Sequence, residues 1–288
     1  MCSLAYFDHI RICNDHDLSH FIPFSVGGTE VGWIRPPLAE QAVAASGYFL
    51  WGSGLTLDPR LDEFGSRSSA LAEASEALVE QGMVPRLRGE FYSVAPHFMA
   101  APLAQIDRGV VQSFGLRAYG VHVNGYVRRA DGSIDMWIAR RAPTQILCPN
   151  MLDNMIAGGQ PIGLSPFDNV LKEAGEEADV PEALARKARP VGSVRYTMEV
   201  DEGLRQDTMF CYDLELPADF KPHNADGEVA EFMLLPAQDV KAIVRDTFDF
   251  KFNCNLVIMD FLIRHKLLTD AEVDIAALKK WMGQGVVS

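Results

Sequence analysis

At 288 residues the chain is longer than the ~100–200 residues of one ordinary domain, so two units are the starting expectation. Hydrophobic residues at 48% and charged residues at 23% exclude the composition of a disordered chain, which is poor in apolar side chains and rich in charge. A formal net charge of -13 opposes capture of a polyphosphate backbone, which argues against nucleic acid as a partner; a phosphorylated small molecule would need cations at the site, most simply a divalent metal.

In chain order, Leu4, Phe7 and Ile10 recur at helical spacing. Phe24, Val26, Val31 and Trp33 flank Gly27-Gly28, the pattern of a hairpin with a glycine turn. Leu71, Ala74, Leu78 and Val79 form an apolar stripe that predicts a helix over 69–81, capped by Ser68 or Ser69 and ended at Gly82. From Tyr119 the alternation lengthens through Val121, Val123, Tyr126 and Val127, and a second strand follows the turn Asp131-Gly132 from Ile134 to Ala139. A boundary therefore falls near 110–118, dividing a small α+β accessory unit, residues 1–115, from a second unit, residues 116–288. A polar segment from Asp201 to Asp207 separates strand-like Val191–Val200 from Met209–Leu216, and a further strand spans Val229–Leu235. Helices close the chain, the last signalled by the capping box Thr269-x-x-Glu272 before Ala276, Leu278 and Trp281.

Five cysteines, Cys2, Cys13, Cys148, Cys211 and Cys254, form no C-x-x-C pair and read as reduced structural thiols. No charged stretch leading into an apolar run opens the chain, and no apolar run of about 18 residues occurs, so the expectation is a cytoplasmic protein without a membrane partner.

The informative segment runs from Gly158 to Val180. Ser165 can cap a helix, Pro166 suits its first position, and Asp168 completes a capping box. On that helix Glu173, Glu176 and Glu177 are spaced three and four apart, so that their carboxylates can share one side. Like charges so placed repel by roughly 0.2–0.5 kcal/mol per pair. A divalent cation reverses that cost, and oxygen-only ligation suits magnesium or manganese better than zinc. A solvated acidic helix face is the plain alternative.

The segment resembles the Nudix box, G-x5-E-x7-R-E-U-x-E-E-x-G-U with U aliphatic, without gaps: Gly158, Lys172, Glu173, Ala174, Glu176, Glu177 and Val180 fall at its positions. The resemblance implies an α/β fold, a Nudix α/β/α sandwich, with Glu173, Glu176, Glu177 and the carbonyl of Gly158 as metal ligands. Leu164, Lys172 and Asp179 depart from the pattern, standing for the first glutamate, the arginine and the second glycine. Lysine keeps the charge of arginine but loses its planar fork, while Asp tolerates left-handed backbone better than most residues. Longer phrases, Met151 to Gly159, His9 to His16, Phe21 to Phe24, Phe250 to Asn253 and Leu256 to His265, are similar to the Nudix branch related to the domain fused to thiamine pyrophosphokinase in some fungi. That resemblance implies a diphosphate of thiamine or of its oxidised forms as substrate, cut to a monophosphate and phosphate. A nucleoside diphosphate derivative is the alternative, and a catalytically weak binding module the rival of another class.

Arg140 and Arg141 end a predicted strand just before the box, where a guanidinium can grip a diphosphate bidentately. Gln145 stands where this branch is expected to carry lysine. Glu228, in Asp226-Gly-Glu228-Val, is preferred over Glu231 as a further catalytic carboxylate, because Glu231 sits within the apparent strand. His16 and His20 are four apart but lack supporting ligands. Trp33, Phe49, Trp51 and Phe91 could stack on a substrate ring, although core packing is the default for such side chains. A homodimer is compatible with all of this.

Overall fold

A computed structural model describes residues 4–283; of the sequence readings, that of Cys2 lies outside the described residues. After α1 (Leu4–Cys13), β1 (Ile22–Val26) and β2 (Thr29–Ile34) form the expected hairpin. Gly27 and Gly28 close it at φ of 58° and 77°, left-handed values that a two-residue turn requires. With α2 (Pro36–Ala45), β3 (Phe49–Trp51) and β4 (Leu55–Leu57) comes a four-stranded sheet of order β2-β1-β4-β3.

The helix α3 (Phe64–Glu80) begins earlier than the stripe predicted. Its first turn buries nothing, so no apolar periodicity marks it, and Ser68 is not a cap: its hydroxyl donates to the Phe64 carbonyl within the helix. Gly82 ends the helix as expected, at φ 69°. The hairpin β5 (Phe91–Val94) and β6 (Ala104–Asp107) completes this part. Phe49 packs with Phe24 and Phe114 in its core, whereas Trp51 and Phe91 are exposed on its surface.

The second part is built on β7 (Arg117–Arg128), β8 (Ile134–Arg141), β9 (Leu152–Asn154), β10 (Ile156–Gly159), α4 (Pro166–Ala178), α5 (Glu182–Ala185), β11 (Arg189–Val200), β12 (Gly203–Glu215), β13 (Val229–Pro236), α6 (Ala237–Asp246), α7 (Cys254–Arg264) and α8 (Ile275–Trp281). Its mixed sheet runs β11-β12-β7-β8-β13, with β10 added on β7 and β9 on β8. Val170, Ala174 and Ala178 of α4 pack with Val121, Val123 and Phe210 on one face. Opposite them, α1, α6, α7 and α8 bury Tyr6, Val240, Phe261 and Leu278 against Met136 and Cys211. The chain is thus α/β, an α/β/α sandwich, and α1 belongs to this core although it comes first in sequence.

Two expectations change. The polar segment 201–207 is mostly strand: Val200 pairs with Gly203, so only Asp201 and Glu202 turn. Polar side chains such as Gln206 and Thr208 line a cavity there, which removes the apolar alternation that marks a strand. Thr269 does not cap the last helix either. Asp274 does, accepting from the Ala277 N–H at 2.9 Å, while Glu272 pairs with Lys241 at 2.8 Å. Among the described residues no helix is long and apolar enough to cross a membrane.

Candidate active site

The box helix α4 starts as its sequence dictates. The Ser165 hydroxyl accepts from the Asp168 N–H at 3.1 Å and donates to the Asp168 carboxylate at 2.6 Å, and Pro166 occupies the first turn. Asp179 ends it in left-handed conformation at φ 50°, the role the missing glycine would have filled. Since one stripe of the helix is buried on the sheet, Glu173 and Glu177 are set against β10, each only 9% exposed, while Glu176 faces outward.

Gly158 lies directly over Glu173: a Cβ there would stand 2.2 Å from Glu173 Cδ and 2.5 Å from Oε1. One residue on, a Cβ at Gly159 would stand 1.7 Å from the hydroxyl of Tyr92, which reaches the box from β5. Glycine is therefore required twice in succession, once by a carboxylate and once by the accessory part.

Burial pushes the Glu177 carboxyl well above the usual carboxylate range, and the neighbouring Glu173, Asp153 and Glu228 act in the same direction; the Ala157 N–H, donating to Oε2 at 2.8 Å, partly opposes them. Burial also raises Glu173, against the pull of Lys172. The Lys172 ammonium lies 3.1 Å from Glu173 Oε1 and 2.7 Å from Glu176 Oε2. Desolvation disfavours its charge, yet the two carboxylates outweigh this and hold it above the ordinary lysine value. Lysine thus takes an orienting position between two of the acidic residues.

The arginines before the box are engaged by the protein. Arg140 binds Glu231 at 2.7 Å and the Asn150 carbonyl at 3.1 Å. Arg141 donates to the Leu147 carbonyl at 3.0 Å, to Gln145 Oε1 at 2.9 Å and to Asp153 Oδ2 at 2.8 Å. Glu228 is exposed but lines a small cleft together with Glu177, Asp153 and Arg141. His20 pairs with Glu199 and His16 turns to the Asn14 carbonyl, so these two histidines are not brought to the box.

A buried ionic cluster beside the cleft was not singled out by sequence. Burial alone would raise the Asp153 carboxyl, but Lys251 at 3.5 Å, Arg141 and His122 outweigh it and bring it to about 2. Burial, helped by Lys251, lowers His122 to about 4. With Cys254, these form the one trio of His, Cys, Asp or Glu whose ligand atoms lie within 4.8 Å of one another among the described residues. Two cations already neutralise Asp153, which fits an ion-pair network better than a metal seat. The available signal was a charge inside an apolar run, Lys251 between Phe250 and Phe252.

For a metal at the box, the donor set is oxygen only, and two of its carboxylates are buried with few partners of their own. The glycine cradle keeps Glu173 within reach of the Gly158 backbone. Such a site suits a hard divalent cation.

A family model described as a domain of unknown function (DUF4743) matches residues 5–118. The solved protein DR0079 of Deinococcus radiodurans aligns over 59% of this chain and 98% of its own, at 22% identity and a TM-score of 0.45. The chain is similar to Nudix hydrolase 20, chloroplastic, of Arabidopsis thaliana, 38% identical across 91% of this chain and 73% of that protein. It is also similar to Nudix hydrolase 24, chloroplastic, of the same plant, 40% identical across 92% of this chain and 73% of the relative. Identity at that level over nearly the whole chain means that it belongs to the Nudix hydrolase family.

Proposed function

We propose that this Nudix hydrolase cuts the pyrophosphate bond of a small organic diphosphate with magnesium, manganese being a substitute, held by Glu173, Glu176, Glu177 and the Gly158 carbonyl. The observation that carries the reading is the pair Glu173 and Glu177, buried against a glycine backbone with unusually high proton affinity, a cost that a bound cation would repay. When bound, the ion supplies positive charge for the diphosphate and makes a coordinated water more acidic.

The chain's own residues do the rest. Lys172 fixes the orientation of Glu173 and Glu176, and the Ala157 N–H fixes that of Glu177. Glu228, in the same cleft as Glu177, is assigned the proton of the attacking water. The water oxygen forms the new bond to phosphorus, the bridging P–O bond breaks, and a monophosphate and inorganic phosphate leave. Arg140 is the phosphate ligand we favour of the two arginines, since its present partner Glu231 is exposed and exchangeable. By the phrases shared with the thiamine pyrophosphokinase-related branch, the substrate is thiamine diphosphate or an oxidised analogue. Oxythiamine diphosphate should exceed ADP-ribose in kcat/KM. A tenfold preference for the nucleotide, ~1.4 kcal/mol of transition-state discrimination, would overturn that assignment. The division at about residues 1–115 and 116–288 is kept with one change: α1 packs in the core of the second unit, so the accessory unit begins after Cys13. The reading also places the protein in the cytoplasm, where the free thiols Cys13, Cys148, Cys211 and Cys254 would stay reduced.

A second reading, a weakly catalytic binding module, draws on Lys172, whose ammonium lies against two of the three box carboxylates. The variant Glu177→Gln separates the readings. If the box holds a catalytic ion, apo stability stays equal or rises slightly, the magnesium-induced rise in melting temperature shrinks, and phosphate release falls by orders of magnitude. Full activity and an undiminished magnesium shift would return Glu177 to the status of a structural helix residue.

A further inference from the structure

The box accounts for the diphosphate end of a substrate and leaves open what receives the organic end. A cavity of about 350 Å³ opens over the sheet on the α4 side, and a neighbouring one of about 170 Å³ shares His97, Phe98, Arg117 and Tyr119 with it and reaches the box loop at Gln160 to Leu164. Strand register builds the floor. Arg117, Gln206 and Thr197 form one cross-strand row and Tyr119, Thr208 and Arg195 the next, all pointing to the same face.

Three rings meet there. Phe98, from the loop after β5, packs at 4.9 Å from Tyr119 and 4.7 Å from Phe210, while Tyr119 and Phe210 lie nearly parallel at 6.0 Å. Arg117 and Arg195 both act on the Tyr119 phenol electrostatically, yet neither has a carboxylate partner among the described residues. That is unusual for a chain with 39 acidic and 26 basic residues. The acid lining the cavity, Asp207, is already held by Tyr196 and by Arg205 at 3.2 Å.

Distance fits a ligand that spans both places. Gly158, over Glu173, pairs with Val121. At ~3.3 Å per strand residue, Tyr119 lies about 7 Å and Arg117 about 13 Å along β7 from that point, the scale of a diphosphate followed by one or two small rings.

We infer that this cavity, roofed by the accessory part, binds the organic end of the diphosphate substrate as a planar ring carrying hydrogen-bond acceptors, ring nitrogens or carbonyl oxygens, with Phe98 packing on the ring and Arg117 and Arg195 donating to those acceptors. The inference rests on the hydrolase reading and extends it to specificity. Either the pyrimidine ring of a thiamine-type compound or a nucleobase has this chemistry.

The test uses the full chain and the variants Phe98→Ala, Arg117→Gln and Arg195→Gln, each checked for an unchanged melting temperature. Oxythiamine diphosphate, ADP-ribose and the ring-free isopentenyl diphosphate are assayed with magnesium. For at least one ring substrate, the ratio of its kcat/KM to that of isopentenyl diphosphate should fall tenfold or more in Arg117→Gln and Phe98→Ala; which substrate responds identifies the ring. An unchanged ratio for both overturns the inference. Should no diphosphate be hydrolysed, the hydrolase reading fails by itself, and calorimetry without metal decides the pocket. Oxythiamine monophosphate or AMP should bind more tightly than inorganic phosphate and lose tenfold in the arginine variants. Binding no tighter than phosphate, or insensitive to the variants, overturns it.

Discussion

Arg141→Ala should cost stability before it costs substrate affinity. The guanidinium satisfies a backbone carbonyl, a side-chain amide and the carboxylate of Asp153, which is only 3% exposed. Removing one partner of a buried ion pair typically destabilises by 3–5 kcal/mol, because the charge left behind is uncompensated. Here Lys251 stays 3.5 Å from the same carboxylate, which places the loss at the lower end, about 3 kcal/mol. At ~2–4 °C per kcal/mol for a large domain, the melting temperature should fall by roughly 6–12 °C. Thermal melts and urea titration at neutral pH measure it, and Arg141→Lys, which keeps the charge without the fork, should recover part of the loss. A variant that melts within a degree of the wild type but shows a raised KM would mean that this arginine is a phosphate ligand and that the ion-pair network does not support the fold.

His122 predicts a pH dependence. The unfolded chain takes up a proton near the ordinary value of 6.5 and the folded chain only at about 4, so between these values the unfolded state binds more protons and stability falls as pH falls. The window is worth about 3 kcal/mol, and His122→Gln should flatten it in urea titrations run from pH 7 to 4. Gly158→Ala should push a Cβ into the flexible end of Glu173, so phosphate release should drop at least tenfold while the melting temperature moves by only a few degrees. Gly115→Ala meets backbone instead, with a Cβ 1.8 Å from the Trp33 carbonyl oxygen at φ 56°, and should cost about 3 kcal/mol or more. Gly132→Ala, equally left-handed at φ 86° but in open space, should cost only ~1–2 kcal/mol in the same melts.

The box helix was legible because every signal in it is local. Ser165, Pro166 and Asp168 fix its start within four residues, and the carboxylates follow from helical spacing alone. The early hairpin was legible for the same reason, through Gly27 and Gly28. Contacts distant in sequence were not. Nothing near Asp153 announces Arg141 and Lys251 as its partners, and nothing near Phe98 announces Tyr119 and Phe210. The strand through Arg205 to Thr208 escaped for a related reason, since a strand face that lines a polar cavity carries no apolar alternation. Three short strands, β3, β4 and β9, have too few residues each to show any period.

The position of α1 bears on how the protein is made. His9 bonds to the Val244 carbonyl at 2.7 Å across a separation of 235 residues, and Tyr6, Ile10 and Cys13 pack in a core whose other members include Leu256 to Leu278. At ~5–20 residues per second of synthesis, α1 waits about 12–47 s for the Val244 carbonyl to be made, 235 residues after His9. During that interval its apolar stripe is uncovered, and a nascent chain halted before α7 would present both an orphaned helix and an unfilled sheet face to chaperones. Helices made late therefore decide whether α1, made early, folds.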